Sequence, residues 1–239
     1  MQRRRRLGWI TRTVGAVLVL TVVALVFRQG WIPARFTPLP PLSLDFQVPY
    51  FVDWQIQELR FDRRLCKSVI NSSPKLVAVQ VADNPFKNGC GWRNAVRPTR
   101  FGQVSFTAAR MTCPVAAAMA LWIDNVVQPE AKRLFGREVI RIDNMGVYSC
   151  RNVIGSRFWQ NMRSEHASAN AVDIGGFRLA NGIHISVRSD WKRPGKKAEF
   201  LRAVHRGACH YFRVALSPDY NAAHYNHFHF DRGILHTCR

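Results

Sequence analysis

The chain has 239 residues, of which 35 are Lys or Arg and 15 are Asp or Glu, so its formal net charge is +20. Hydrophobic residues make up 47% of the sequence, which excludes a globally disordered chain and is enough for a sizeable core. The length is typical of one domain or of two small ones. The charge indicates anionic surroundings, a class that includes nucleic acid, anionic lipid and acidic polymers.

The first 28 residues have the pattern of an export signal. Arg3–Arg6 precede an uncharged apolar run from Val14 to Phe27, which Arg28 closes. A basic cluster before an apolar segment is typical of a secretory signal or a signal anchor. The run has 14 residues, and it reaches the about 20 residues that span a bilayer only if Arg12 is included. Because no small-residue cleavage motif follows, we predict an uncleaved transmembrane anchor at residues 1–28, with a cleaved signal as the alternative.

Cysteine usage also indicates export. All six cysteines lie beyond residue 28, and an even number in an exported chain predicts disulfides, with 15 possible pairings for three bonds. A zinc site made of cysteines is disfavoured because no pair has the required short spacing. Residues 1–28 contain six arginines and no acid, so residues 29–239 keep a net charge of +14. No nucleic-acid-binding motif accompanies this charge, and we expect no nucleic-acid partner.

Beyond the anchor, the sequence predicts a linker and then an α+β body. Prolines concentrated between residues 29 and 46 predict a spacer, and we assign residues 29–58 to it. We expect an accessory half at 59–144 and a second half at 145–239. A helix is predicted at 114–134, with Pro114 in its first turn and Pro129 at a kink or junction. The other predicted elements are strands at 77–81, 104–106, 139–142, 171–174, 184–187 and 227–230 and a helix at about 198–208.

All eight histidines lie in the last 74 residues, and two short patterns among them indicate a metal site. His227 and His229 are two residues apart in a strand-like segment, so both side chains project to one face while Phe228 faces the other. His166 precedes Asp173 by seven residues. Two imidazoles and one carboxylate with an open fourth position are typical of a catalytic zinc site. Either pattern alone is also common among packed or surface histidines, so the hypothesis depends on their occurring together.

The segments SEHASANAVDIGGF, NGIHISV, VHRGACHYF and PDYNAAHYNHFHFD carry a more specific signal. They resemble the C-terminal domain of the bacterial extensin-like proteins, over roughly residues 60–239. That family is similar in turn to the zinc D-Ala-D-Ala carboxypeptidases, the penicillin-insensitive murein endopeptidases and the Hedgehog signalling fold. The resemblance implies an α+β domain at 59–239, with a small antiparallel sheet and flanking helices.

The resemblance also implies roles for individual residues. His166, Asp173 and His229 match the metal ligands and would hold Zn²⁺. Ser164 matches the serine that accompanies the first ligand and would contact substrate. Arg151 matches an arginine that binds substrate and stabilises the oxyanion, although a surface arginine is equally compatible with the sequence.

Two departures from the peptidase pattern put catalysis in question more than metal binding. No acid lies between Tyr220 and His229, where the carboxypeptidases have a catalytic Glu. His224 or His227 would then act as the base or stabilise the transition state, as in the murein endopeptidases. Ala169 replaces a glycine, and its methyl group is expected to narrow the approach of substrate to the backbone.

Some further residues keep two interpretations. Glu165 is a supporting or solvated acid, and Asp231 either orients a ligating histidine or is a surface acid at the end of a strand. Trp159 and Trp191 are core residues or the floor of a cleft. The sequence assigns no role to the histidines outside the two patterns, which are His184, His205, His210 and His236.

Two functions follow from these observations. The first is a periplasmic zinc peptidase that acts on peptidoglycan peptides and is held at the inner membrane by residues 1–28, or is secreted to the periplasm if that segment is cleaved. The second is a non-catalytic domain that binds or organises the cell wall and keeps zinc for its structure. Peptidoglycan is the expected partner in both, because its peptides carry free carboxylates that complement the basic body.

Overall fold

The computed structural model describes residues 2–32, 36–37, 39–48 and 50–239, without the side chains of residues 2–8 and 11. For Arg3–Arg6, therefore, only the backbone is described. Pro33 and Pro38 of the predicted linker lie outside the described residues. The helices are α1 (Gln2–Arg28), α2 (Val52–Glu58), α3 (Arg63–Ser72), α4 (Cys113–Trp122), α5 (Gln128–Phe135), α6 (Val187–Asp190) and α7 (Lys196–Ala208). The strands are β1 (Val77–Gln80), β2 (Asn84–Lys87), β3 (Cys90–Trp92), β4 (Ala95–Phe101), β5 (Val104–Phe106), β6 (Met111–Thr112), β7 (Val139–Gly146), β8 (Ala171–Leu179), β9 (His184–Ser186), β10 (Val214–Leu216), β11 (Phe228–Asp231) and β12 (Thr237–Cys238).

The N-terminal segment is helical, but it does not meet the requirements of a transmembrane helix. Helix α1 covers residues 2–28, as the apolar run predicts. Among the described residues, no helix combines the length and the apolarity that a membrane span needs. The expected transmembrane helix is therefore not found; its uncharged run is short, with Arg12 before it and Arg28 at its end.

Residues 39–58 pack against the body and do not form a spacer. Leu42 and Leu44 are buried in the main core, and α2 buries Trp54 and Ile56. The amide of Gln55 donates a hydrogen bond to the Pro40 carbonyl at 2.7 Å. The prolines of this segment thus shape an extended stretch whose leucines are part of the core.

A buried ionic cluster connects the end of α1 to the body. Asp53 on α2 accepts hydrogen bonds from the guanidinium groups of Arg213 and Arg232, at distances from 2.6 to 3.1 Å. Arg213 also donates to the Arg28 carbonyl at 2.5 Å and to the Gln29 side chain at 2.8 Å. These contacts hold the last turn of α1 against the folded domain.

One ten-stranded sheet crosses both halves of the body, so the predicted division near residue 144 is not a structural boundary. Its main path runs β1–β4–β5–β7–β8–β11–β10–β12, with β6 paired to β4 and β9 to β8. The pairs are antiparallel except β5 with β7 and β10 with β12. Strands β2 and β3 form a separate hairpin. The fold is α+β, as predicted, with a larger sheet than expected.

The predicted helix at 114–134 is present and forms the centre of the core. Pro114 lies in the first turn of α4, and every residue of α4 is buried. A π-helical turn at residues 123–127 joins α4 to α5, whose first turn contains Pro129. Proline has no N–H to donate to the preceding turn, which explains the change of helix type at this junction. Trp122 donates its indole N–H to the Val204 carbonyl on α7 at 2.9 Å, which connects the two helices.

The six cysteines form three disulfides, as predicted for an exported chain. The pairs are Cys66–Cys113, Cys90–Cys150 and Cys209–Cys238. The last pair attaches β12 to the end of α7, so the C-terminus is covalently held as expected. No free cysteine remains to bind a metal in the described chain.

Candidate metal centre

Two neighbouring strands bring Asp173 and His229 together. Strands β8 and β11 are antiparallel, and Asp173 lies directly opposite His229 in their register. Because side chains alternate along a strand, Phe228 and Phe230 enter the core while His229 projects to the other face. This alternation matches the expectation from the spacing of His227 and His229.

His166 reaches the same point from a short 3-10 helix at residues 165–168. Ser164 caps this helix, since its hydroxyl oxygen accepts a hydrogen bond from the His166 N–H at 3.3 Å. Ala169 ends the helix in the left-handed conformation, with φ of 54°, which explains why a glycine suits this position. From the sequence, the Ala169 methyl group was expected to narrow the approach of substrate. This expectation is wrong, because the Ala169 side chain is fully buried and does not face a cleft.

The three predicted ligands converge on one point. Nε2 of His166 lies 3.1 Å from Nδ1 of His229 and 3.2 Å from Oδ1 of Asp173. Nδ1 of His229 lies 3.0 Å from the same carboxylate oxygen. Atoms bound to one tetrahedral zinc ion at about 2.0–2.1 Å lie about 3.3 Å apart. The triangle formed by these three atoms is therefore close in size to the face of a zinc coordination sphere.

Hydrogen bonds on the far sides of both imidazoles orient their lone pairs toward this point. Nδ1 of His166 lies 2.8 Å from the Val147 carbonyl oxygen, which accepts only, so the proton is on Nδ1 and the lone pair on Nε2. Nε2 of His229 lies 3.1 Å from Oδ2 of Asp231, which leaves Nδ1 as the inward-facing atom. A carboxylate or carbonyl behind a ligating histidine is the usual arrangement in metal sites.

The charges at this point would suit a bound cation. Burial alone would raise the pKa of Asp173, but the neighbouring imidazoles of His166 and His229 hold that pKa well below its usual range. Burial opposes protonation of His229, whereas Asp173 and Asp231 raise its pKa to about 9. Without a metal, the site thus retains a proton between its acceptor atoms. A metal ion would take the place of that proton.

Two of the predicted catalytic residues, His224 and His227, lie next to the predicted ligands. Nε2 of His227 lies 3.6 Å from Oδ1 of Asp173. The ring centroid of His224 lies 5.6 Å from that of His229 and 5.3 Å from that of His227. Burial and the two neighbouring histidines lower the pKa of His224 to about 4, and burial lowers that of His227. Arg151 is close enough to contribute to both shifts.

The amide side chains that hold these two histidines were not predicted from the sequence. Nδ1 of His224 lies 2.7 Å from Oδ1 of Asn221, and Nδ1 of His227 lies 2.8 Å from Oδ1 of Asn226. An amide oxygen only accepts, so both rings carry their proton on Nδ1 and present Nε2 as a base. The carbonyl of Val147 was also missed, because a backbone contact has no sequence signal.

The structure shows where the remaining candidate residues lie and which of their alternative roles fits that position. Ser164 is buried and supports the helix of His166, a position that does not suit the predicted contact with substrate. The half-buried Glu165 accepts a hydrogen bond from the Asn170 side chain at 2.7 Å. Trp191 is a core residue that packs on Phe228, whereas Trp159 is partly exposed. Four histidines have no motif, and none of them belongs to the cluster of His166, Asp173 and His229 in the described part of the chain. They are His184, His205, His210 and His236.

The segment that carries Arg151 is fixed by a disulfide. Cys150 is bonded to Cys90 on the β2–β3 hairpin. Next to it, the Ser149 N–H donates to the His166 carbonyl at 3.1 Å, and the Ser164 N–H donates to the Arg151 carbonyl at 3.1 Å. The disulfide and these hydrogen bonds hold Arg151 beside the helix of His166.

Comparison with known proteins identifies the family of the chain. Neither the curated proteins nor the solved structures contain a match to the chain. The family model described as "Extensin-like protein C-terminus" matches residues 64–239, a range that contains all three predicted ligands and all six cysteines. The chain therefore belongs to the extensin-like protein C-terminus family.

Proposed function

We propose that the protein is a zinc-dependent peptidase of the bacterial periplasm that hydrolyses peptide bonds of peptidoglycan. The observation that supports this most is the convergence of Nε2 of His166, Nδ1 of His229 and Oδ1 of Asp173 within 3.0–3.2 Å. Two imidazoles and a carboxylate suit zinc, and three protein ligands leave a fourth position for substrate or water. A zinc ion bound there would polarise the scissile carbonyl and make water a stronger acid.

The residues around the ligands supply the remaining requirements of hydrolysis. His224 and His227 have lowered pKa values, so both are neutral near pH 7 and can accept a proton through Nε2. The guanidinium of Arg151 is suited to the oxyanion that forms when the carbonyl is attacked. Ser164 and Val147 orient His166, and Asp231 orients His229.

The choice of peptidoglycan depends on location, charge and resemblance. Three disulfides favour an oxidising compartment, in agreement with the export signal. The net charge of +14 on residues 29–239 complements the carboxylates of peptidoglycan peptides. The similarity to zinc D-Ala-D-Ala carboxypeptidases and murein endopeptidases supports the same substrate. Attachment to the inner membrane stays a prediction from the sequence.

A second function, zinc-dependent binding to the wall without hydrolysis, has one observation in its favour. The two acids behind the ligands are engaged, Glu165 by Asn170 and Asp231 by His229. No carboxylate occurs between residues 220 and 228, so proton transfer depends on histidines alone. In this case the same three ligands would hold zinc for structure only.

Digestion of purified peptidoglycan sacculi separates the two functions. The full-length protein with one equivalent of zinc is incubated with sacculi, and the released muropeptides are resolved by chromatography and mass spectrometry. We expect shortened or uncrosslinked peptides with the wild type and none with His229→Ala. His184→Ala, in which an exposed histidine paired with Asp143 is lost, is the matched control and should retain activity. Unchanged muropeptides together with zinc-dependent binding to sacculi would contradict the peptidase and favour the wall-binding function.

A further inference from the structure

An exposed aromatic loop lies next to the candidate metal centre. We call residues 153–162 the flap. Phe158 is 93% exposed, Ile154 56%, Met162 50% and Trp159 42%. Large apolar side chains grouped at the surface of one short loop usually mark a binding site.

The base of the flap is continuous with the metal centre. Asn152 and Arg163 form an isolated antiparallel bridge, and the Val153 N–H donates to the Met162 carbonyl at 2.9 Å. Arg151 immediately precedes this base and Ser164 immediately follows it. The flap is thus an excursion of the chain between the predicted oxyanion-binding residue and the cap of the helix that carries His166.

The flap also contacts the opposite wall of the site. The Asn221 side-chain amide donates to the Gly155 carbonyl at 3.3 Å, while its oxygen bonds to His224. A side chain at position 155 would collide with Asn221, since a Cβ atom there would lie 2.7 Å from its amide nitrogen, and the φ of Gly155 is +79°. The flap therefore connects the Arg151 side of the centre to the His224 side.

The base of the flap is held firmly while its aromatic tip is exposed. The Arg163 guanidinium donates to the Asn88 carbonyl and to the Asn152 side chain, both at 3.0 Å. The Cys90–Cys150 disulfide attaches the preceding segment to the same hairpin. A preorganised loop with exposed rings loses little entropy when it binds a ligand.

We propose that the flap binds the glycan strand of peptidoglycan, with Phe158 and Trp159 packed against the faces of sugar rings. This inference rests on the proposed function, because it places the glycan beside the peptide that the metal centre acts on. Sugar rings present apolar C–H faces and a rim of hydroxyl groups. In the flap, aromatic rings are available to pack against the apolar faces of the sugars. The uncharged side-chain amides of Gln160 and Asn161 are available to form hydrogen bonds with the hydroxyl groups. Arg157 is its one charged residue, so a strongly charged ligand is not expected.

Binding to a peptide-free glycan tests the proposal separately from hydrolysis. The probe is chitohexaose, a β-1,4-linked oligomer of N-acetylglucosamine, titrated into the full-length protein by calorimetry. We expect saturable binding by the wild type and a loss of at least about tenfold in affinity for the Phe158→Ala/Trp159→Ala double variant. Trp159→Phe, which keeps a ring, should bind nearly as the wild type does. Phe46→Ala is the matched control, because Phe46 is an exposed ring on another segment.

The outcomes distinguish failure of the flap from failure of the peptidase. Aromatic-dependent binding of chitohexaose without release of muropeptides from sacculi would support the flap and contradict the peptidase. Release of muropeptides with equal affinity of wild type and double variant for chitohexaose would overturn the flap. No binding of the probe by the wild type would overturn it as well. A loss of binding to phosphatidylglycerol vesicles in the double variant, with glycan binding unchanged, would reassign the flap to lipid. Zinc content should be the same in all variants, which shows that the metal centre is intact.

Discussion

Asp231 accepts a hydrogen bond from Nε2 of His229 at 3.1 Å, two residues away on the same strand. The other oxygen of Asp231 accepts from the Gly233 N–H at 2.9 Å, so the carboxylate is held from both sides. This contact decides which nitrogen of His229 faces Asp173 and His166. Asp231, which is not itself a predicted ligand, thus determines which nitrogen of the predicted ligand His229 would face a metal ion.

Replacing Asp231 should weaken zinc binding without abolishing it. In Asp231→Asn the neutral amide orients His229 less strongly, and we expect zinc affinity to fall about 10- to 100-fold. Competition with a chromophoric chelator measures this affinity. Asp190→Asn is the control, because Asp190 is also buried and accepts a hydrogen bond from the Ser186 N–H outside the metal centre. Equal zinc affinity in the wild type and Asp231→Asn would refute the orienting role.

The Cys90–Cys150 disulfide should matter for the metal centre as well as for stability. Its loop spans 60 residues, and removing such a bond typically costs about 4 kcal/mol in the free energy of unfolding. In Cys90→Ser/Cys150→Ser we expect this loss and weaker zinc binding, since the segment beside His166 is no longer fixed. Denaturant unfolding and chelator competition measure the two effects.

Removal of the Cys209–Cys238 disulfide provides the comparison. That bond closes 29 residues between α7 and β12, and its loss is expected to cost about 3–4 kcal/mol. The Cys209→Ser/Cys238→Ser variant should lose stability but keep its zinc affinity under conditions where it is folded. A parallel decrease of zinc affinity in both variants would show that the effect is a general loss of stability.

Ala169→Gly should be tolerated better than an ordinary loss of a buried methyl group. Ala169 has a φ of 54°, and a non-glycine residue in this conformation costs about 1–2 kcal/mol. Ala171 is equally buried but lies in β8. Both changes to glycine remove a methyl group and increase the entropy of the unfolded chain, but only the first relieves strain. We expect Ala169→Gly to be at least about 1 kcal/mol less destabilising than Ala171→Gly in urea unfolding.

Glu58→Gln should stabilise the protein in a way that depends on pH. Glu58 is 3% exposed, and neither carboxylate oxygen has a hydrogen-bond partner among the described residues. Burial, assisted by Asp62, raises its pKa from 4.5 to about 7. The unfolded chain therefore releases this proton at lower pH than the folded one, and the wild type loses stability as pH rises from 4.5 to 7.

The stabilisation by Glu58→Gln should therefore be small at pH 4 and grow between pH 4.5 and pH 7. Above pH 7 it should level off at about 3 kcal/mol. Thermal unfolding of both proteins across this pH range measures the difference. Glu138→Gln, a change of an exposed acid paired with Lys132, should have an effect below about 1 kcal/mol at every pH. A stabilisation by Glu58→Gln that is the same at pH 4 and pH 8 would contradict the proposed cause.

Much of the secondary structure could be predicted because it depends on local pattern. The helix at 114–134 was predicted from apolar periodicity and two prolines, and it was found with the junction at Pro129. Strands with alternating or continuous apolar residues were also found. Helices α2, α3 and α6 were missed. Strands β2, β3, β4, β6, β10 and β12 were missed as well; all but β4 have only two to four residues, and β4 contains Pro98 and lacks a regular alternation of buried and exposed residues. Their pairing depends on neighbours distant in the chain.

The segment before the body shows the limit of composition as a guide. Its prolines are typical of a spacer, but Leu42 and Leu44 are buried in the core. The uncharged run before it predicted a transmembrane helix, which the described residues do not contain. The role of the proline-rich segment depended on its contacts with the body, which composition does not reveal. The outcome for the apolar run depended on the exact length of its uncharged stretch.

The sequence alone was sufficient to identify the histidine and aspartate patterns, the tendency to form disulfides and the helical and strand segments, because each depends on spacing within a few residues or on counts. Only the tertiary structure decided that Asp173 and His229 are opposite one another, that Val147 and Asp231 orient the two imidazoles, and that Cys90 is bonded to Cys150. These relationships join residues up to 60 positions apart. They arise from strand register and core packing, which no local pattern encodes.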